Sequence, residues 1–277
     1  MTERSAPPDA LPAEFAEAFA AEQDALDPLG SQILYYSSVG STNDVALRLA
    51  LAGQPEGLVV IAEAQTAGRG RRGRSWFSPP ASGLYVSLLL DPGRAGDPAR
   101  ATTLLTIAAG VALAEAIETR TGLAADIKWP NDLHVARRKL AGILAEGVTS
   151  SSARTVSSVI LGYGINVGRM SYPPELTNRA TSLEIELGRS IDRAALCAET
   201  LAAMARRYAD LIGGRFDAIL DAWRQRAPSS RGASVKWQTS TGSCRSGTTA
   251  GIDDRGALLV QSGDAIERIV SGEVQWV

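Results

Sequence analysis

The chain has 277 residues, 45% of them hydrophobic, enough to bury one large domain or two smaller ones. Its formal net charge of -2 argues against a general nucleic-acid binder, which would spread Lys and Arg over a face and carry a positive balance. Two distant cysteines, Cys197 and Cys244, and a single histidine, His134, exclude a disulfide framework and a Cys/His zinc cage.

In chain order, residues 1–30 are rich in Ala, Pro and Glu, and "PAEFAEAFAAEQDAL" predicts a short helix. "ILYY" at 33–36 reads as the first strand. "STNDVALRLALAG" reads as a helix, with Ser41 and Asp44 in the S-x-x-D capping pattern and Gly53 as its stop. A strand at 58–63 leads into "GRGRRGRSW" at 68–76. "LYVSLLL" at 84–90 is the continuous apolar run of a strand buried on both faces. The longest helical pattern covers 98–122, from Pro98 to Gly122. "DIKW" at 126–129 is a strand cut off by Pro130. Residues 133–148 predict a hairpin turning at Arg137–Arg138, and 155–167 a further strand. Helices are expected at 193–212 and 216–227. From Arg231 onward, short strands broken by Gly, Ser and Asp suggest a small β-barrel. No internal repeat is present. No apolar stretch reaches the roughly 18–20 residues of a membrane span, and the N-terminus lacks the layout of a secretory signal, so a cytoplasmic protein is expected.

Five stretches carry polar groups where chemistry is done. In "GRGRRGRSW", glycines permit close backbone approach and arginines supply permanently charged forked donors. The loop can grip a phosphate or carboxylate, bind nucleic acid, or lie idle in solvent; it lacks the G-K-[ST] ending of a Walker A loop. "KWPNDL" at 128–133 places Asn131 and Asp132 at a strand end, a common place for binding residues and also ordinary turn chemistry. Lys139, in "RRKLAGILAE", follows a turn, where it either faces solvent or neutralises charge in a pocket. "GYGINV" at 162–167 puts Gly162 and Gly164 inside a strand, as a bulge or a close ligand approach. "STN" at 41–43 offers hydroxyls and an amide to an uncharged polar ligand, or caps a helix.

In combination and in this order, the stretches resemble the biotin protein ligases, which attach biotin to carboxylase carrier domains. The resemblance rests on "STND" at 41–44, "EAQTAGRGRRGRSWFSPPASGLYVSLLL" at 63–90, "KWPNDLHVARRKLAGILAE" at 128–146 and "GYGINVG" at 162–168. The tail "GIDDRGALLV" with "IVSGEV" resembles that family's SH3-like C-terminal domain. The resemblance implies an α+β fold: a mixed-sheet catalytic core related to class II aminoacyl-tRNA synthetases and lipoate ligases, followed by a small SH3-like β-barrel. Implied boundaries are an N-terminal extension at 1–30 (partly disordered or a short helix), a catalytic domain at 31–228 and the barrel at 229–277.

The implied reaction joins ATP and biotin into biotinyl-5′-adenylate and pyrophosphate, and a carrier lysine then takes the biotinyl group. By resemblance, Arg69, Arg71 and Lys139 hold the carboxylate and phosphates, with Gly68, Gly70 and Gly73 letting the loop fold over them. Ser41, Thr42, Asn43 and Gln65 read the ureido ring, and the bicycle lies against Gly142–Leu144 and Gly162–Gly164. Asn166 meets adenine, Trp76 packs near the closed loop, and Asn131 and Asp132 face the nucleotide, with Asp132 an outer partner of Mg²⁺. ATP and biotin enter as substrates with Mg²⁺, and no tightly bound prosthetic group is expected. The implied partner is the biotin carboxyl carrier domain of acetyl-CoA carboxylase or a related carboxylase, with no nucleic acid and no membrane, the enzyme being a monomer or homodimer. About 30 residues precede the core, so a monofunctional ligase without the DNA-binding domain of some relatives is expected. Two rivals are a lipoate ligase, whose ligand has no ureido ring, and a nucleic-acid module built on the arginine loop.

Overall fold

The computed structural model describes residues 7–149, 156–238, 242–272 and 274–277. Residues 1–6 of the expected extension and Thr155, the expected start of a strand, lie outside the described residues. In chain order the first half contains α1 (Ala13–Ala21), β1 (Gln32–Tyr36), α2 (Thr42–Leu51), β2 (Leu58–Ala62), β3 (Gly83–Leu90), α3 (Pro98–Thr121), β4 (Asp126–Lys128), β5 (Asp132–Val135) and β6 (Arg138–Thr149). Then follow β7 (Val156–Asn166), α4 (Leu183–Leu187), α5 (Arg193–Ile212), α6 (Phe216–Arg226), β8 (Arg231–Gln238), β9 (Cys244–Ile252), β10 (Leu258–Ser262), β11 (Ala265–Ile269) and β12 (Val274–Trp276).

The first seven strands form a mixed sheet in the order β1-β2-β3-β7-β6-β5-β4. β1 and β2 run parallel and the remaining neighbours antiparallel. Because side chains alternate across a strand, β3 splits its apolar run between two cores. Leu84, Val86 and Leu88 join Leu161 and Ile165 against Leu104, Val111 and Leu201 of α3 and α5. Leu89 joins Val60 and Ile160 beneath Val45 and Ala46 of α2. Between these apolar patches, the α2 face carries small residues: Ser87, Gly162, Gly164 and Gly142. Pairing lays Ser87 beside Gly162 and Gly142 beside Gly164. That shallow floor is what the site is built on.

The helix expected near the N-terminus forms as α1, and its Phe15 and Phe19 are buried in the main core, with the Phe15 and Tyr35 rings 6.1 Å apart. α3 begins at a Pro behind the Asp97 cap, which accepts from the Arg100 amide at 3.0 Å, and stops at left-handed Gly122. Contrary to the sequence expectation, α3 is long and apolar enough, by length and composition, to cross a membrane. It is the central core helix, and most of its apolar stretch is buried inside the fold.

Two local expectations also change. Ser41 occupies the N-cap position of α2 in extended conformation, but its side chain makes no capping bond. The Thr42 amide is taken by Gln65 Oε1 at 2.9 Å, and Asp44 pairs with Arg69. The hairpin between β5 and β6 turns at Ala136–Arg137, both left-handed, so Arg138 already belongs to β6.

The last five strands form an antiparallel sheet in the order β11-β10-β9-β8-β12. Its Val235, Leu258 and Val260 share the main core. The β9–β10 turn docks on the first sheet: Gly256 accepts from Trp129 Nε1 at 2.9 Å, and Arg100 Nε donates to the Asp254 carbonyl at 3.0 Å. Both cysteines are free thiols, Cys197 buried and Cys244 exposed.

Candidate active site

One cleft opens between the N-terminus of α2, the arginine loop and the floor of β6 and β7. The loop is a narrow hairpin. Trp76 N donates to Gly68 O at 2.8 Å and Gly70 N to Arg74 O at 2.7 Å, while Arg72 and Gly73 turn the tip in left-handed conformation. A side chain at Gly68 would lie 2.5 Å from Trp76 O, so the neck needs glycine.

This hairpin lays the Trp76 indole across the floor. A Cβ at Gly164 would stand 2.3 Å from Trp76 Nε1, and one at Gly142 3.0 Å from its Cζ3. The strand glycines therefore make room for an aromatic ring. Lys139 Nζ sits 5.2 Å from that ring's centroid, within cation–π range.

At one end the cleft is cationic. Lys139 Nζ is 2.7 Å from Asp132 Oδ1. Burial pushes the Asp132 carboxyl up, but the nearby His134 ring, 4.0 Å away, and the charge of Lys139 prevail and hold it below the usual carboxylate range. Arg71 reaches across from the loop and donates to Asn131 Oδ1 at 3.1 Å, and Asn131 Nδ2 donates to Ile143 O at 2.8 Å. Desolvation pulls the Arg71 guanidinium below its ordinary value. Arg69 is held by two carboxylates, Glu146 at 2.6 Å and Asp44 at 2.9 Å.

At the other end the lining is amides and hydroxyls, edged by the Glu146 carboxylate and its partner Arg69. Thr42 Oγ1 lies 2.8 Å from Ser87 Oγ and 3.2 Å from Gln65 Oε1, and Gln65 Nε2 donates to Ser78 Oγ at 2.9 Å. Asn43 Nδ2 donates to Glu146 at 2.7 Å. A cleft with forked cations at one end and amides and hydroxyls at the other suits an elongated ligand with an anionic and a neutral polar terminus.

Of the residues expected at the site, Ser41, Thr42, Asn43, Gln65, Arg69, Gly70, Arg71, Trp76, Asn131, Lys139, Gly142, Gly162 and Gly164 line this cleft. Gly68, Asp132 and Asn166 do not. Gly68 shapes the loop neck and Asp132 stands behind Lys139. Asn166 is buried and donates to Thr181 O at 2.9 Å, so its amide is spent on the backbone. Among the described residues, no group of three or more His, Cys, Asp or Glu side chains is placed to hold a metal ion, so Asp132 has no partners for one. Two participants carried no assigned role in the sequence reading: Glu146, one more acidic residue in a strand, and Ser87. A signal for Ser87 was present, since it is the one small hydroxylic residue in an otherwise apolar and aromatic buried run.

The class the site defines is narrowed by comparison with known proteins. Residues 35–166 match the Biotin/lipoate A/B protein ligase family, and 232–276 match the Biotin protein ligase C terminal domain. The bifunctional ligase/repressor BirA of Bacillus subtilis is 37% identical over 249 residues, covering 89% of this chain and 74% of that protein. The biotin--[acetyl-CoA-carboxylase] ligase of Paracoccus denitrificans is 36% identical over 84% of this chain and 96% of its own length. Among solved structures, the Aquifex aeolicus biotin protein ligase in complex with biotin and ATP superposes with a TM-score of 0.76 at 28% identity, covering 89% of this chain and 99% of that one. The chain belongs to the biotin protein ligase family, and it is a biotin ligase enzyme.

Proposed function

We propose that the protein activates biotin with ATP to biotinyl-5′-adenylate and transfers the biotinyl group to one lysine of a biotin carboxyl carrier domain, acetyl-CoA carboxylase being the carboxylase that relatives' names point to. The observation that carries this reading is the polarity of the cleft, with Lys139 and Arg71 at one end and Thr42, Asn43 and Gln65 at the other. A ureido ring offers two N–H donors and one carbonyl acceptor to the amide and hydroxyl end, and a valerate chain places its carboxylate at the cations.

In the first step a carboxylate oxygen attacks the α-phosphorus and pyrophosphate leaves. Two anions must meet, and charge grows on the phosphoryl oxygens, so fixed cations lower the barrier. Lys139 is the best placed, because its Asp132 pair fixes the ammonium at the cleft wall without entering the cleft. Arg71 is pinned by Asn131 and supplies the second charge. Arg69 must exchange Glu146 or Asp44 for the ligand, which makes it the element of loop closure. In the second step a neutral lysine amine attacks the acyl carbon, AMP departs with the C–O electrons, and the amide nitrogen loses a proton. The protein needs no nucleophile of its own.

Mg²⁺ belongs here to the ATP substrate, carried mainly by the phosphates. Asp132 is engaged by Lys139 at 2.7 Å. We assign nucleotide contacts to Arg71, Trp76, Asn131 and Lys139, with Asn166 holding the Thr181 carbonyl and the Thr181 amide donating to Lys139 O at 2.9 Å. We read residues 31–228 as the catalytic domain, related to class II synthetases and lipoate ligases, and 229–277 as an SH3-like barrel. The formal net charge of -2, and Arg69 already met by two carboxylates, speak against nucleic acid as the ligand of the arginine loop.

The test is biotin-dependent ATP–pyrophosphate exchange, with lipoate as competitor. Exchange driven by biotin and not by lipoate is expected; exchange driven by lipoate alone would overturn the ligand assignment.

A further inference from the structure

Ser87 is fully buried at the centre of the sheet, beneath the amide and hydroxyl end of the cleft, and lines no part of it. Its hydroxyl contacts Asn43 Oδ1 at 2.6 Å and Thr42 Oγ1 at 2.8 Å. One hydroxyl carries one proton, so the direction of each bond is decided elsewhere. It is decided at Glu146. A carboxylate only accepts, so the end of the Asn43 amide facing Glu146, 2.7 Å away, must be the NH₂. Asn43 therefore turns its carbonyl to Ser87, and Ser87 spends its proton there. Ser87 then has only lone pairs left for Thr42, so Thr42 donates to Ser87. The remaining contact, Thr42 Oγ1 to Gln65 Oε1 at 3.2 Å, carries no proton, and Gln65 Oε1 is satisfied by the Thr42 amide. The end of the chain is a Thr42 oxygen whose free lone pairs face the cleft as an acceptor. Gly162 permits this geometry, because a Cβ there would stand 2.0 Å from Asn43 Oδ1.

We infer that Glu146 and Ser87 are positioning residues of a hydrogen-bond relay, Glu146–Asn43–Ser87–Thr42, which sets Thr42 as an acceptor for an N–H donor of the ligand. The inference rests on the biotin reading, in which that donor is a ureido N–H. Neither residue touches the reacting atoms; Ser87 acts on recognition alone, while Glu146 also pairs with Arg69 at 2.6 Å, a contribution that Asp44→Asn reads separately. Removing the Ser87 hydroxyl frees the Thr42 proton to point elsewhere. Replacing Glu146 by Gln lets the Asn43 amide flip, which reverses every bond in the chain.

The experiment measures biotin-dependent ATP–pyrophosphate exchange for wild type, Ser87→Ala, Glu146→Gln, their double variant, and Asp44→Asn. The biotin KM is expected to rise about tenfold or more in each relay variant, and in Ser87→Ala, which has no contact with Arg69, kcat and the ATP KM should stay within about threefold of wild type. The double variant should be little worse than the poorer single one, since both break one chain. Asp44→Asn removes the other half of the Arg69 clamp without touching Asn43, so it reads any loss that runs through Arg69, and it should raise the biotin KM several-fold less than either relay variant does. An unchanged biotin KM in Ser87→Ala or Glu146→Gln, additive losses in the double variant, or an equal loss in Asp44→Asn would overturn the relay. Glu146→Gln changes a half-buried side chain and carries the test even if Ser87→Ala does not fold. An active wild type with unaltered variants refutes the relay alone. A wild type with no biotin-dependent exchange refutes the ligand assignment and the relay with it.

Discussion

At the scale of single residues, the site turns on the ion pair of Lys139 and Asp132. In the proposed mechanism the charge of Lys139 serves the transition state, so Lys139→Ala should lower kcat for pyrophosphate exchange by about 10²–10³-fold. Isotope exchange at saturating biotin and ATP checks this; a rate within a few-fold of wild type would remove Lys139 from the chemistry. Asp132 makes a separate prediction. Its carboxyl titrates below the usual range when folded, so its pairing stabilises the fold above the unfolded value of about 3.9 and ceases to do so as pH falls through the lower folded value. Denaturation midpoints of wild type and Asp132→Asn should therefore differ most near neutrality and converge below about pH 4. A difference that grows on acidification would contradict the sign. Lys139 and Arg71 were brought to the site by the family resemblance, since the residues alone left a solvent-facing lysine and an idle arginine loop open, and both line the cleft. Glu146 was not legible, because a carboxylate in a strand reveals its partners, Asn43 and Arg69, only once distant segments meet.

At the scale of elements, the arginine hairpin and the glycine floor are one device. The strand glycines suggested a ligand against the backbone; they line the cleft, and the structure also seats the Trp76 indole over Gly142 and Gly164. A residue in β7 that must be glycine for the sake of an indole on a loop some ninety residues earlier cannot be read locally. Gly164→Ala should expel the indole, lowering activity at least about tenfold and red-shifting tryptophan emission, with the fold retained because the new methyl meets a loop side chain and no core atom. Wild-type emission and activity in this variant would show the ring is not seated on the floor. The same hairpin is held in the structure by Glu146 and Asp44 on Arg69. Anionic ligands should add counter-charge and slow amide exchange across 68–76 when biotin and ATP are present; equal exchange in both states would argue against closure. The capping expectation at Ser41 failed for a related reason. Gln65, from another element, satisfies the Thr42 amide, and Asp44 is claimed by Arg69.

At the scale of the whole molecule, the mixed sheet and the C-terminal sheet were both legible, since strand-length apolar runs and glycine-broken segments differ plainly in sequence. Their attachment was not. The Trp129 to Gly256 bond links residues far apart in the chain, and Gly256 is tightly enclosed by Ile107 and Leu104 of α3. Trp129→Phe should cost about 1–3 kcal/mol, the penalty of a buried carbonyl left unpaired, and should lower the denaturation midpoint of the whole chain. Loss confined to the C-terminal sheet would mean the two sheets unfold separately. α3 shows how composition misleads at this scale, because a helix apolar enough for a bilayer serves here as the core of two helical neighbours and a sheet. The central claim is that the cleft makes an acyl-adenylate and passes the acyl group to a protein lysine. It is tested most directly by incubating the protein with ATP, Mg²⁺, biotin and a biotin carboxyl carrier domain and measuring the intact mass of the carrier. A gain of one biotinyl group on one lysine, dependent on ATP and abolished by Lys139→Ala, is the predicted result; an unmodified carrier, or equal modification by the Lys139→Ala variant, would contradict it.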